Sequence, residues 1–400
     1  MPECSVWILL PFGAFLTTAN LDNARPALLM STVTVPAHPS SPAEPSSLRR
    51  VNLALQGGGS HGAFTWGVLD ALLEDERIEF DGISGASAGA VNAVALAHGF
   101  ATAQKDNSPE KTSPREAARA SLSRVWQGIA AMGSLGSMAD SISRMLIGGW
   151  ATNRVSANLI GGAMTQWMSP YQSNPLDINP LRKLLQAEID FHAIAGLHAP
   201  KAFVSATHVT TGRAEIFAGK RLTLQAVMAS TCLPTLFQAV EIDDQHYWDG
   251  GFSSNPSLLP LISDCSSRDI IVVQINPLRR PEIPHTPHDI ADRVNELTFN
   301  ASLLSQMRTI DFINRLLADG RLQEGEKYKS LLLHRIDGGE ALESLPSSSK
   351  MSADTAMIEK LFEMGQGAAK RWLRRHFEAL GLQSTVNIRR DYVGSLPAEF

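Results

Sequence analysis

Three short segments of this 400-residue chain carry residue types that perform chemistry. The first is GGGSHG at 57–62, and the second is GASAG at 85–89, which places Ser87 between two glycines. The third, DGG at 249–251, offers the carboxylate of Asp249. A serine hydroxyl is a poor nucleophile until a neighbouring base accepts its proton. Ser87 and Asp249 are therefore a candidate nucleophile and base, provided that the fold brings them together.

The glycine turn follows the apolar, β-prone run VNLALQ and precedes AFTWGVLDALLE, which has helical apolar spacing. Residues without a Cβ atom let backbone N–H groups converge, and the helix that follows points its positive end at them. Such a nest of donors binds an oxyanion. The same spacing fits a dinucleotide turn, with Glu79 or Asp81 as the ribose-binding acid, so a dinucleotide-dependent oxidoreductase is an alternative.

The serine segment matches G-x-S-x-G, which holds a serine on a sharp turn between a strand and a helix. Two glycine turns at the ends of adjacent strands place donors and nucleophile a few ångströms apart. Asp249 directly follows the HYW run, where a strand end would hold it. An esterase with a Ser-Asp-His triad is a second alternative, because histidines follow this aspartate. The candidate bases of that triad are His285, His288 and His334.

Strand-like runs alternate with helical segments, which predicts a three-layer α/β/α fold with a mixed, largely parallel central sheet. After Pro277 the composition becomes polar and helical, with helices near 289–318 and 353–380 around the run LLLHRI. The predicted organisation is a flexible leader and linker at 1–48, a catalytic domain at 49–277 and a mainly helical C-terminal extension at 278–400.

Composition narrows the class of partner. A formal net charge of -5 gives no global attraction to nucleic acid, so no nucleic-acid partner is predicted.

The cysteines and the N-terminal segment bear on the cellular compartment. Cys4, Cys232 and Cys265 are scattered along the chain and are interpreted as free thiols. The apolar run at 5–16 lacks a basic flank, so a poorly ordered leader is expected rather than a signal peptide. A cytoplasmic protein is expected, while export by another route stays open.

Two further features suggest contact with lipid. The insert at about 121–170 is rich in tryptophan and methionine, and its helical stripe faces either a lipid or the domain core. The members of that stripe are Leu135, Met138, Ile142, Met145 and Leu146. The segment KRWLRRH at 370–376 either lies on an anionic bilayer as a peripheral contact or forms an ordinary solvated helix face.

Taken together and in order, LALQGGGSHGAF, GASAGAVNA and WDGGF resemble the patatin-like phospholipases, and VSATHVTTGR and MASTCLPTLF are similar to segments of bacterial members. The resemblance covers about residues 51–277, and the extension is also similar to bacterial relatives. It implies a Ser-Asp dyad, with Ser87 matching the nucleophile and Asp249 matching the aspartate. Gly57, Gly58 and Gly59 match the oxyanion turn.

One position departs from the resemblance. The family often carries arginine where this chain has His61, which we expect to support the loop or the phospholipid headgroup; proton transfer is the alternative role. The resemblance implies a lipid acyl hydrolase, of phospholipase A or carboxylesterase type, that acts on phospholipid or other acyl lipid through an acyl-enzyme. No metal or cofactor is required. A lipid-binding protein without turnover is a third alternative, and the sequence carries no signal for an oligomeric state.

Overall fold

The computed structural model of the protein describes residues 48–105, 112–147, 169–197, 200–280, 282–325, 328–345, 349–350 and 353–394, without the side chains of 134–147 and 288. The described residues belong to one compact unit. The predicted leader and linker, together with Cys4, lie outside them. Cys232 and Cys265 are free and buried, as expected.

The described residues form an eight-stranded sheet in the order β5-β6-β3-β2-β1-β7-β8, with β4 paired to β3. Four pairs are parallel: β3 with β2, β2 with β1, β1 with β7, and β7 with β8. Three pairs are antiparallel: β4 with β3, β6 with β3, and β5 with β6. This confirms the predicted mixed, largely parallel sheet. The strands are β1 Arg49–Leu55, β2 Ile78–Ala86, β3 Lys201–His208, β4 Ala214–Ala218, β5 Val240–Ile242, β6 Gln245–Asp249, β7 Asp269–Gln274 and β8 Leu332–Asp337.

Helices connect the strands and cover both faces of the sheet. Those that build the site are α1 and α2, which follow β1 and β2, and α9, which follows β7. The described helices are α1 Gly62–Glu74, α2 Ala88–Lys105, α3 Pro114–Ile147, α4 Pro170–Ser173, α5 Pro180–Glu188, α6 Phe191–Ala195, α7 Leu224–Ser230, α8 Leu259–Ser263, α9 Pro287–Ala318, α10 Glu340–Glu343 and α11 Thr355–His376.

Two apolar clusters lie on opposite sides of the sheet because successive strand residues point to opposite faces. On β7, Ile271 and Val273 belong to the cluster formed with α1, α2, α3 and α11. Ile270 and Val272 belong to the other cluster, which α9 covers. Burial on both faces explains why the central strands read as continuous apolar runs, and it confirms the three-layer arrangement.

The region after residue 277 is integral to this layered structure. Its strand β8 extends the sheet by pairing in parallel with β7. Its helix α11 packs closely on α1, because a methyl group on Gly67 would collide with the carbonyl oxygen of Phe362. The boundary predicted at residue 277 therefore does not separate two folded bodies.

The Trp- and Met-rich insert is only partly described. Trp126, on α3, is 2% exposed, donates its indole N–H to Asn92 Oδ1 at 2.9 Å and stacks on Trp66. This tryptophan is a core residue. The side chains of the predicted stripe at 135–146 lie outside the description, as do residues 148–168. Among the described helices, none has the length and apolarity needed to cross a bilayer.

Candidate active site

The glycine turn joins the end of β1 to the start of α1. The N–H of Gly57 donates to Asn255 Oδ1 at 2.6 Å. The N–H groups of Gly58 and Gly59 donate to no acceptor in the described part of the chain. Of the three amides expected to hold an oxyanion, that of Gly57 is already hydrogen-bonded to the Asn255 carboxamide, whereas those of Gly58 and Gly59 lack such an acceptor among the described residues. The role of the three amides in holding an oxyanion stays a prediction.

Close contacts explain the glycines of this turn. A methyl group on Gly57 would lie 2.6 Å from Ser87 Cβ, and one on Gly62 would lie 2.6 Å from Ala88 Cβ. Gly59 has a φ of +57°, a backbone conformation that favours glycine. The absence of side chains thus lets the glycine turn and the serine turn touch, as the sequence predicts for turns on adjacent parallel strands.

Ser87 occupies a sharp turn between β2 and α2, with a φ of +53° that is rare for a residue with a side chain. Its carbonyl accepts the N–H of Ala90 at 2.9 Å as α2 begins, and its own N–H donates to Ser230 Oγ at 3.0 Å. A methyl group on Gly85 would collide with Gly89. This is the strained geometry that G-x-S-x-G predicts, and such strain concentrates at functional sites.

Asp249 ends β6, where it pairs with Ala206 of β3. Its backbone is fixed on both sides, because its N–H donates to the carbonyl of Cys232 at 2.8 Å and its carbonyl accepts Thr207 Oγ1 at 2.7 Å. Oδ1 accepts the N–H of Gly251 at 2.7 Å. Oδ2 has no well-aligned hydrogen bond from any described residue, and the Ser87 hydroxyl lies beside the carboxylate.

The environment of Asp249 suits a base. The side chain is 0% exposed, and burial raises the pKa of Asp249 to about 7, because the charged carboxylate loses water. The nearby Ser87 hydroxyl and the hydrogen bond from the N–H of Gly251 favour the anion and limit that rise. A carboxyl group with a pKa near neutrality is half ionised there and holds a proton far better than an ordinary aspartate.

Buried amide side chains form a hydrogen-bond network with the backbone of the glycine turn. The sequence motifs did not reveal this network. Gln56 Oε1 accepts the backbone N–H groups of Ile275 and Asn276, both at 3.0 Å. Asn276 Nδ2 donates to the carbonyl of Gly57 at 2.8 Å. Asn255 Nδ2 donates to the carbonyl of Phe299 at 3.1 Å, which ties the network to α9. The one sequence signal is position, since Gln56 and Asn276 follow the ends of β1 and β7.

His61 is buried within the glycine turn. Its Nε2 hydrogen-bonds Ser349 Oγ at 2.7 Å. The pKa of His61 is lowered to about 4, first by burial and then by the positive charges of Lys350 and Arg280. The ring is therefore neutral at pH 7, and its contacts are those of a residue that supports the loop. Its role in the reaction stays a prediction.

Two of the three histidines proposed for the alternative triad, His285 and His334, have described side chains, and neither bonds to Ser87 or Asp249. His334 is 0% exposed and bonds Asp269 Oδ1 at 2.9 Å and Thr385 Oγ1 at 3.1 Å. Asp269 begins β7, at the edge of the sheet opposite Ser87. His285 is exposed, and the side chain of His288 lies outside the description. Among the histidines whose side chains the structure describes, none hydrogen-bonds to the candidate pair, so neither His285 nor His334 serves as the base of such a triad.

The acids of the alternative dinucleotide site lie in the wrong place. Glu79 and Asp81 are near the start of β2, whereas the glycine turn lies at the opposite edge of the sheet. Glu79 is paired with Arg50 at 3.0 Å, and Asp81 accepts the backbone N–H groups of Ser266 and Ser267. Neither acid is available to a ribose bound at the turn. The described residues also contain no group of three or more His, Cys, Asp or Glu side chains that would hold a metal ion.

The basic segment KRWLRRH ends α11 far from the site. Lys370 pairs with Glu74 at 2.8 Å, and Glu74 is the last residue of α1. The 13 residues of α1 separate this point from the glycine turn by about 20 Å. Trp372 is 7% exposed, so its indole is not presented to a bilayer. Peripheral membrane contact through this segment stays a prediction, and the geometry favours a solvated helix end.

Comparison with known proteins places these motifs in a family. The family model described as patatin-like phospholipase matches residues 53–262, which is more than half of the chain and includes all three motifs. The chain belongs to the patatin-like phospholipases. No curated protein sequence gives a significant match. Among solved structures, the chain is similar to VipD from Legionella pneumophila, with 18% identity, 83% of this chain and 67% of that chain covered, and a TM-score of 0.38.

As a patatin-like phospholipase, the chain is assigned to the lipid acyl hydrolases. The matched range begins in β1 and ends in α8, so it contains the glycine turn, the serine turn and the aspartate. It stops before β7, α9 and α11. Asn276, which donates to the glycine turn, and Asn300, whose Oδ1 accepts Gln56 Nε2 at 3.2 Å, therefore lie outside the range that the family model matches.

Proposed function

We propose that this chain cleaves acyl esters of phospholipids or other acyl lipids, in phospholipase A or carboxylesterase fashion, through a Ser87–Asp249 dyad and an acyl-enzyme. The observation that carries the proposal is the position of the Ser87 hydroxyl beside a fully buried carboxylate whose Oδ2 is open to accept a proton. The same edge of the sheet holds two amides that have no acceptor among the described residues.

In the first half-reaction, Ser87 Oγ attacks the ester carbonyl carbon while its proton passes to Asp249 Oδ2. The carbonyl oxygen becomes an oxyanion, which accepts the N–H groups of Gly58 and Gly59 at the positive end of α1. Collapse of this tetrahedral species breaks the ester C–O bond. The proton on Asp249 then goes to the departing alkoxide, leaving the acyl group on Ser87.

In the second half-reaction, water attacks the acyl-enzyme and Asp249 again accepts a proton. The same two amides hold the second oxyanion, and collapse returns the proton to Ser87 as the fatty acid leaves. The raised pKa of Asp249 serves both halves, because the group must accept a proton near neutral pH and then release it. All steps are accounted for by this chain's own residues and water.

Hydrolysis of p-nitrophenyl butyrate and of phosphatidylcholine vesicles tests the proposal. Asp249→Asn should lower kcat by about 100- to 10,000-fold, the usual contribution of a positioned acid-base group, and Ser87→Ala should lower it at least as far. Ser84→Ala, which removes another buried hydroxyl of β2, and Asp244→Asn, in the exposed β5–β6 turn, should retain wild-type rates. Wild-type turnover by either dyad variant would reject the dyad.

A further inference from the structure

A segment from the C-terminal region lies against the glycine turn. Ser60 Oγ donates to the carbonyl oxygen of Ser349 at 3.0 Å, and His61 Nε2 bonds Ser349 Oγ at 2.7 Å. A methyl group on Gly59 would collide with the carbonyl oxygen of Lys350. Three consecutive residues of the turn therefore contact two residues that lie about 290 positions later in the chain.

The side chain of Lys350 reaches beneath the same turn. Its ammonium donates to Asn276 Oδ1 at 2.7 Å, and Asn276 Nδ2 donates onward to the carbonyl oxygen of Gly57 at 2.8 Å. Burial lowers the pKa of Lys350, because the ammonium gives up water to make this contact. One carboxamide thus links a cation to the backbone of the glycine turn.

The Gly57 carbonyl and the Gly58 N–H belong to one peptide group. Because that group is planar and trans, its C=O and N–H point in opposite directions. A hydrogen bond that fixes the carbonyl towards Asn276 therefore fixes the direction of the Gly58 N–H on the other side. Hydrogen bonds in series also polarise one another, so a cation at the start of the chain makes this N–H a stronger donor.

We propose that Lys350 is a positioning residue for the oxyanion hole, acting through Asn276 on the peptide that carries the Gly58 N–H. The inference rests on the proposed function, in which that N–H binds the oxyanion. It assigns a role in turnover to the region after residue 277: this region holds a donor in place without touching substrate.

The test compares Lys350→Met with Lys350→Arg, and with Lys360→Met as a control on an exposed lysine of α11. Full-length proteins are assayed on p-nitrophenyl butyrate, a neutral ester, and on phosphatidylcholine vesicles. Lys350→Met should lower kcat about 10- to 100-fold on both substrates with little change in KM, a fraction of the effect of losing an oxyanion donor outright. Lys350→Arg should recover most of kcat, and Lys360→Met should match the wild type.

Asn276→Ala breaks the same hydrogen-bonded series from Lys350 through Asn276 to Gly57. It keeps the proposal testable if Lys350→Met folds poorly. It should lower kcat at least as far as Lys350→Met, because it also removes the bond to the Gly57 carbonyl, and the double variant Lys350→Met with Asn276→Ala should lose no more than Asn276→Ala alone. Losses that multiply would overturn the proposal, because the two side chains would then act separately.

Two other results would also overturn it: a wild-type kcat in Lys350→Met, or a loss confined to KM on phosphatidylcholine, which would mark Lys350 as a headgroup contact. Failure of the proposed function looks different. In that case Ser87→Ala would retain wild-type turnover, whatever the rates of the lysine variants.

Discussion

Lowering the pH from 8 to 5 should switch the enzyme off through Asp249. Burial raises the pKa of Asp249 to about 7, and only the ionised carboxylate accepts the Ser87 proton. The value of kcat/KM should therefore be half-maximal near pH 7 and fall about tenfold per pH unit below it, to about 1% of its plateau at pH 5. An aspartate with the ordinary pKa of about 3.9 would leave the rate almost unchanged over this range.

The assay is hydrolysis of p-nitrophenyl butyrate, whose acyl group and ester do not titrate between pH 5 and 8, followed at each pH with a calibrated product signal. Repeating the profile in dilute methanol identifies the group. Ionisation of a carboxyl group creates charge, so its midpoint should move to higher pH in the less polar solvent, whereas an imidazolium loses charge and its midpoint should not rise. A flat profile, or a midpoint that does not rise in methanol, would refute the assignment.

Three further predictions concern stability and the two turns. Asp249→Asn should raise the free energy of unfolding at pH 8 by on the order of 2–4 kcal/mol and leave it unchanged at pH 4. Between about pH 4 and pH 7, Asp249 is protonated in the native state but ionised in the unfolded chain, so the wild type loses stability as the pH rises. Urea unfolding at pH 4 and pH 8 measures the free energy of unfolding of both proteins. Ser87→Gly should be about 1 kcal/mol more stable than Ser87→Ala, because only glycine adopts the +53° φ without strain; a more stable alanine variant would contradict it. Gly59→Ala should lose both stability and kcat, since the new methyl collides with the Lys350 carbonyl. The control is Gly320→Ala, at a φ of +70° with open space around it, which should lose about 1 kcal/mol of stability and keep the wild-type kcat. Equal kcat values in Gly59→Ala and Gly320→Ala would rule out a role in turnover for the contact between Gly59 and Lys350.

The sequence contains enough information to predict the layered fold and the meeting of the two turns. Alternating strand-like and helical runs predict parallel strands, and parallel strands bring the segments after Leu55 and Ala86 to one edge of the sheet. The glycine spacing then allows close approach, as the contact between Gly57 and Ser87 demonstrates. These features are local and periodic, and for that reason they can be read without a structure.

The sequence could not predict which backbone N–H groups of the glycine turn are already hydrogen-bonded within the protein. The bond from Gly57 N–H to Asn255 Oδ1 spans 198 positions, and nothing in the glycine motif marks one amide as engaged. The contacts of Lys350 with Asn276 and Gly59 likewise depend on how a distant segment returns across the fold. Burial of the Asp249 carboxylate is also a tertiary property, because alternate strand residues face opposite sides.

Covalent labelling with a fluorophosphonate, followed by mass spectrometry of the modified peptide, tests most directly whether Ser87 is the nucleophile. We expect a single phosphonylated residue, Ser87, with labelling lost in Ser87→Ala and retained in the Ser84→Ala control. Labelling that persists in Ser87→Ala at the wild-type rate, or that maps to another serine, would contradict it.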